Sequence, residues 1–222
     1  MSDYVLVHGA WGGGWAYDRL AADLRRNGHR VLVAALTGLG SRAAELHPAI
    51  DLSAHVADVV TQIGDAGFDR FILVGHSYGG MVITGVATRL GSRIEALVYF
   101  DAFLPADGQS LWDVTGQWEH DCYIDGQKDA PGLVRPLPGL EHRRLGRHPL
   151  LTLIEPVRFS GEEAKVGRRV YVFATGWRPT PFTRFADAVR TDPAWEYHEA
   201  DASHDVMGDQ PEQCLAILLG CA

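Results

Sequence analysis

The sequence predicts an α/β fold, a mostly parallel sheet covered by helices on both faces, with a small segment inserted over one edge. Three observations predict it. Short apolar runs alternate with stretches of helical periodicity, and runs that are continuous rather than alternating suit strands buried on both faces. The turn after the third run is built around one serine among glycines. From Leu104 to about Lys165 the alternation stops, in a stretch rich in Pro, Gly, Trp and Arg.

Each element has its own justification. Tyr4 to Val7 is the first strand, and it ends at "HGAWGGGW", a loop by its glycines. Trp15, Tyr17, Leu20, Ala21 and Leu24 fall near helical spacing, with Gly28 as a stop. His29 to Leu36 is a second strand, followed by a long glycine-containing loop. Leu52, Val56, Val59 and Ile63 then mark an amphipathic helix capped by Asp51 or Ser53. "FDRFILVGH" is a third strand, "GGMVITGVATRL" the helix leaving its turn and "IEALVYFDAF" a fourth strand. Beyond the insertion come "RRVYVFAT" (strand), "PFTRFADAVRTD" (helix), "AWEYHEA" (strand) and "QPEQCLAILLGC" (helix). The expected division is a core of residues 1–103 and 166–222, and a cap of residues 104–165 over the carboxyl edge of the sheet, where open α/β folds bind ligands.

Composition narrows the function. A chain of 222 residues, 46% hydrophobic and 22% charged, has ordinary globular composition and one sizeable core. A net charge of −8 argues against nucleic acid, whose phosphates need clustered Lys and Arg. Cys122, Cys214 and Cys221 form neither a metal spacing nor a disulfide framework, which points to a reducing compartment. No secretion leader and no membrane-length apolar run is evident, so a soluble cytoplasmic protein is expected.

"LVGHSYGGMV", Leu73 to Val82, carries the chemistry. "G-H-S-Y-G" fits a G-x-S-x-G nucleophile elbow in its proper setting, strand before and helix after. The serine must occupy a strained turn to project its hydroxyl above the sheet. Side chains two residues either side would collide with neighbouring backbone, hence Gly75 and Gly79. Ser77 is therefore the expected nucleophile. A serine needs a base, which in this architecture comes after the last strand. His204, in "EADASHDVM", has that place, whereas the other histidines lie in motifs, in strands, before the serine or in the insertion. The oxyanion needs two donors. Tyr78 N–H, after the nucleophile, is one, and Ala10 N–H, in the loop after the first strand, is the other. Gly12 to Gly14 either belong to that machinery or form only a flexible turn. They are not a phosphate loop, since no Lys-Ser/Thr comes after them.

The order and spacing of "VLVHGAWGGGW", "LTGLGSR", "VGHSYGGMV", "LVYFDAFLPADG" and "SHDVM" resemble the α/β-hydrolase superfamily. Within it they resemble the branch of plant methyl esterases, hydroxynitrile lyases and small bacterial esterases, nearly end to end apart from the insertion. The resemblance implies a Ser–His–acid triad. The usual acid of the branch lies in a stretch resembling "T-x-D" after the strand that succeeds the cap. Here "ATGWRP" has Gly176, Trp177 and Arg178 and no carboxylate. Some superfamily members carry the acid one strand after the nucleophile strand, which makes Asp101 the candidate, with Asp187, Asp201 and Asp205 as rivals. The branch's lyases have a hydroxyl residue beside the first-loop histidine and a lysine after the catalytic one. Gly9 and Asp205 stand there, which favours hydrolysis.

The expected activity is hydrolysis of a carboxylic ester, or related acyl bond, of a small apolar or aromatic molecule. Amide or carbamate hydrolysis and a ligand-binding receptor on the same fold are the alternatives. Trp112, Trp118, Tyr123, Leu133, Leu137 and Leu140 either cover the substrate or pack the cap onto the core. The basic run Glu141 to His148 either greets an anionic substrate or is a solvated face. Serine chemistry needs no cofactor, no metal-ligand spacing is visible, and the sequence is silent on oligomeric state.

Overall fold

The computed structural model describes residues 1–140 and 142–222. Among them, six parallel strands form one sheet in the order β2-β1-β3-β4-β7-β8: β1 (Asp3–Val7), β2 (Arg30–Ala34), β3 (Phe71–His76), β4 (Ile94–Phe100), β7 (Arg169–Ala174) and β8 (Glu196–Ala200). The inserted stretch contributes a two-stranded antiparallel pair, β5 (Leu133–Val134) and β6 (His148–Pro149). The helices are α1 (Asp18–Arg26), α2 (Leu52–Asp65), α3 (Gly79–Leu90), α4 (Gln117–Gly126), α5 (Leu151–Ile154), α6 (Thr183–Arg190), α7 (Val206–Asp209) and α8 (Pro211–Leu219).

The period-two alternation of strand side chains divides the core into two layers. Val5, Val7, Leu73, Leu97, Tyr99, Tyr171 and Phe173 face one side, under α2, α3 and α6. Tyr4, Leu6, Ile72, Val74, Val98, Phe100 and Val172 face the other, under α1 and α8. The inner strands β1, β3 and β4 are almost wholly buried, which is why they read as unbroken apolar runs; the edge strands β2 and β8 are half-exposed. The expected α/β architecture is therefore the observed one.

Differences are local. The helix read from Trp15 starts as a 3₁₀ turn over Gly14–Tyr17, and α1 proper begins at Asp18. Asp51, rather than Ser53, caps α2 by accepting the Ala54 N–H at 2.8 Å. Ser53 instead donates to Glu155 of the inserted stretch. The loop after β8 contains the short helix α7, whose cap is the Asp205 carboxylate.

Strand order reverses at β1. The chain leaves β1 toward α1 on one face and leaves β3 toward α3 on the other, opening a crevice between the two loops, the usual place for a ligand in open α/β sheets.

Candidate active site

Ser77 stands one residue beyond β3 at φ 55°, in the left-handed region that a serine rarely occupies. The glycines around it are steric necessities. A Cβ on Gly75 would lie 2.7 Å from the Gly79 oxygen, one on Gly79 2.5 Å from the Val7 oxygen and one on Gly80 2.1 Å from the Phe103 oxygen. Hydrogen bonds from Ser77 N–H to Phe100 O (3.3 Å) and from Phe103 N–H to Ser77 O (3.1 Å) fasten the turn to its neighbour.

Asp101 occupies the matching position one residue beyond β4, also at positive φ (40°), with no accessible surface. Its carboxylate accepts three hydrogen bonds: His204 Nδ1–H at 2.7 Å and Trp177 Nε1–H at 3.0 Å on Oδ2, and Ala174 N–H at 3.2 Å on Oδ1. Three donors offset the cost of burying the charge. The histidine predicted after the last strand and the acid predicted after the fourth are thus brought together. The rival acids are not, since Asp187, Asp201 and Asp205 are all exposed.

The His204 ring lies between Phe182, stacked at 5.0 Å and 13°, and His76, tilted at 4.5 Å. His76 Nε2–H donates to the His204 carbonyl at 2.8 Å and so ties the loop after β8 to the turn after β3. Desolvation by the surrounding protein, with His204 adding to it, holds the pKa of His76 down to about 3, so this neighbour stays neutral.

Among the described residues, neither Ala10 N–H nor Tyr78 N–H donates to a protein acceptor, whereas Trp11 N–H and Ser77 N–H do. Two free N–H groups flank the loop after β1 and the turn after β3. Gly9 is the close-approach point between them, as a Cβ there would sit 3.0 Å from Ser77 Cβ and 3.3 Å from His76 Nδ1. A side chain at Gly9 would press on Ser77 and His76, which would have to give by a few tenths of an ångström. No group of three His, Cys, Asp or Glu among the described residues could hold a metal ion.

Of the inserted aromatic residues, Tyr123 is buried 6.5 Å from Trp11, and Trp112 stacks on His120 at 3.8 Å, whereas Trp118 is exposed. Leu137 and Leu140 are partly buried against the core. In the basic run, Arg144 lies over Trp15 and Arg147 pairs with Asp129, while Glu141 is outside the described residues. A surface groove of about 520 Å³ between Pro136 and Leu145 includes none of the strand-end residues.

The model of the alpha/beta hydrolase family matches residues 4–217. The chain belongs to that family. It is 40% identical over 233 residues to the carbendazim hydrolyzing esterase of Nocardioides sp. (strain SG-4G), covering 96% of each chain. To the polyneuridine aldehyde esterase of Rauvolfia serpentina it is 26% identical over 251 residues, covering 97% of this chain and 94% of that one. An extracellular alpha/beta-hydrolase from a Paenibacillus species has the same fold, with a TM-score of 0.84 at 22% identity over 100% of this chain and 99% of that chain. The protein is accordingly a carboxylesterase-like hydrolase of ester or related acyl bonds in small molecules. No helix among the described residues is long and apolar enough to cross a membrane.

Sequence reasoning missed Trp177 and His76. Trp177 stands in the stretch where the resemblance leads one to expect an acid, and it donates to the Asp101 carboxylate at 3.0 Å. The missing carboxylate was the available signal. As a sequence letter, His76 is visible only as part of the elbow.

Proposed function

We propose that Ser77 is the nucleophile, His204 the general base and acid, and Asp101 the carboxylate that orients it, in a serine hydrolase working through an acyl-enzyme. What most directly supports this is the 2.7 Å contact between His204 Nδ1 and the buried Asp101 carboxylate, beside a serine held at positive φ. Asp101 keeps the proton on Nδ1, which leaves Nε2 free to accept. Ser77 Oγ then bonds to the acyl carbon as its proton passes to Nε2. The carbonyl oxygen becomes an oxyanion facing Ala10 N–H and Tyr78 N–H. Collapse breaks the bond to the alcohol, which leaves with the proton from His204. Water, deprotonated by the same histidine, releases the acid and restores Ser77.

Residues 104–165 are the cap over this site, and Trp112, Tyr123, Leu137 and Leu140 favour an apolar or aromatic small molecule. Carbendazim belongs in the substrate panel because a relative hydrolyses it. The three unpaired cysteines, two of them buried, suit a cytoplasmic location.

A serine-directed aryl phosphonate tests the reading. Its mass should appear on the peptide holding Ser77, and Ser77→Ala should neither label nor turn over p-nitrophenyl esters. Label on another residue, or turnover surviving in Ser77→Ala, would remove Ser77 from the mechanism. A panel of esters, lactones, amides and carbamates would then define the bond class.

A further inference from the structure

Trp11 comes directly after the proposed oxyanion donor Ala10 and sits at φ 59°, a conformation a bulky residue adopts only where its surroundings impose it. The surroundings are the inserted stretch. Trp11 N–H donates to His148 Nδ1 at 3.2 Å, Trp11 O accepts from Gly146 N–H at 2.9 Å, and Trp11 Nε1–H donates to Val134 O at 3.0 Å. Every polar group of Trp11 is thus held by the segment between β4 and β7.

His148 is the one side chain among these partners, and its neighbours fix its tautomer. Thr152 Oγ1 lies 2.8 Å from Pro149 O, which can only accept, so the hydroxyl proton points there. The same oxygen lies 2.7 Å from His148 Nε2 and must accept from it. The proton is on Nε2, and Nδ1 offers a lone pair to Trp11 N–H, which can only donate. All three contacts agree on one neutral form. The ring has no accessible surface, and its edge meets the ring of Tyr78, the second proposed donor, at 4.7 Å.

We propose that His148 is a positioning residue for the oxyanion hole, holding the loop of Ala10 through Trp11 and packing on the side chain of Tyr78. This rests on the assignment of Ala10 and Tyr78 as oxyanion donors. The cap is then part of the catalytic apparatus, because it supplies the acceptor that shapes the loop. A charged His148 would set Nδ1–H against Trp11 N–H, and burial keeps the ring neutral by lowering its pKa well below the ordinary value.

The test compares His148→Leu with His148→Asn, whose Oδ1 can stand where Nδ1 stood. In folded His148→Leu, kcat should fall on the order of tenfold to a hundredfold, less than outright loss of an oxyanion donor costs. KM should move less than about threefold, since the loss is in the transition state. Affinity for a tetrahedral aryl boronate should fall in step with kcat/KM, while affinity for the alcohol product stays unchanged. His148→Asn should regain most of the kcat. Unchanged kcat in folded His148→Leu, an equal loss of alcohol binding, or no rescue by Asn would each overturn the proposal. If both variants fail to fold, ¹⁵N shifts of the wild-type ring decide it, because a proton on Nδ1 contradicts the proposal and one on Nε2 supports it. Active Ser77→Ala would instead defeat the underlying mechanism, so the two failures are distinguishable.

Discussion

Ser77 and Asp101 stand side by side, each one residue past the end of neighbouring parallel strands and each at positive φ, yet their sequences have nothing in common. Ser77 is ringed by Gly75, Gly79 and Gly80; Asp101 lies between Phe100 and Ala102. The difference lies in where the chain goes next. After Ser77 it folds straight back into α3, whose first residues press on the end of β1 and on the Phe103 backbone, leaving no room for a Cβ. After Asp101 it runs outward toward the inserted segment, with no helix doubling back. The Asp101 turn is held by hydrogen bonds, including Asp101 N–H to Val172 O at 2.8 Å and those on its carboxylate. Both turns are fastened by hydrogen bonds, but the Ser77 turn is in addition packed too tightly for a Cβ at Gly75, Gly79 or Gly80.

The largest expected effect tests the polar turn. In Asp101→Asn the three donors on the side chain meet only one oxygen. If that oxygen faces Ala174 N–H, the amide N–H₂ faces His204 and favours the tautomer that cannot act as base. Turnover should fall by about four orders of magnitude, as in the serine-protease template, with the fold retained. Steady-state kinetics on a p-nitrophenyl ester measures this. Asp201→Asn and Asp205→Asn should lose no more than about tenfold, since exposed carboxylates act through screened fields. Asp205→Asn surviving but Asp101→Asn also surviving would show that the 2.7 Å contact is only structural.

The same contrast explains what was legible in the sequence. Glycines forced by close approach are visible as letters, so the Ser77 turn could be read directly, as could the sheet through its unbroken apolar runs. Asp101 is legible only by combining the missing acid of "ATGWRP" with a carboxylate at the end of the fourth strand, and no letter of the sequence shows that the Trp177 indole donates to it. His148 and Trp11 are far apart in sequence and meet only through the tertiary fold, so no spacing announces them. The helical spacing from Trp15 does not distinguish the 3₁₀ turn over Gly14–Tyr17 from the α-helix that continues it at Asp18.

Acid should loosen the Ser77 side first. His8 and His76, next to the ends of β1 and β3, have pKa values lowered to about 4 and about 3 by burial, and burial also lowers those of His55 and His148. These rings are neutral when folded and take up protons when unfolded. The contribution of such a ring is fully present above about pH 6.5 and is lost as pH falls from there, toward about 4 for His8 and about 3 for His76. Each can contribute at most about 1.4 kcal/mol per pH unit in that window. Urea denaturation at pH 7, 6 and 5 should show falling stability at constant m. Amide exchange should rise sooner around residues 8–15 and 77–80 than around 97–103. A flat stability from pH 7 to 5 would contradict the buried neutral histidines.

A steric turn should also resist even one methyl group. Gly79→Ala would place its Cβ 2.5 Å from Val7 O and 3.0 Å from His8 O, both backbone atoms that cannot swing aside. Overpacking of this kind costs about 1–3 kcal/mol. Thermal melting should show that loss, and turnover should drop with it, because relief requires moving the very loop that carries Ala10. A variant with wild-type melting and turnover would mean that the turn is looser than its glycines imply.

The smallest effect is expected where the polar turn loses one of its several supports. Trp177→Phe removes the indole N–H that donates to Asp101 Oδ2 at 3.0 Å while keeping an aromatic ring against Phe182 and His204. Oδ2 retains the His204 contact and Oδ1 retains Ala174 N–H, so the carboxylate stays anchored. A hydrogen bond to a charged group contributes about 1.5–3 kcal/mol, part of which water reaching the half-buried position of Trp177 would restore. The expected result is a stability loss of about 1 kcal/mol and a fall in kcat of roughly tenfold or less, with KM unchanged, because the carboxylate gains freedom but His204 keeps its tautomer. Histidine at the same place, able to donate through Nε2, should recover part of the loss. If Trp177→Phe were as inactive as Asp101→Asn, the indole rather than the strand end would be what holds the acid in place. The two turns would then differ less than their sequences do.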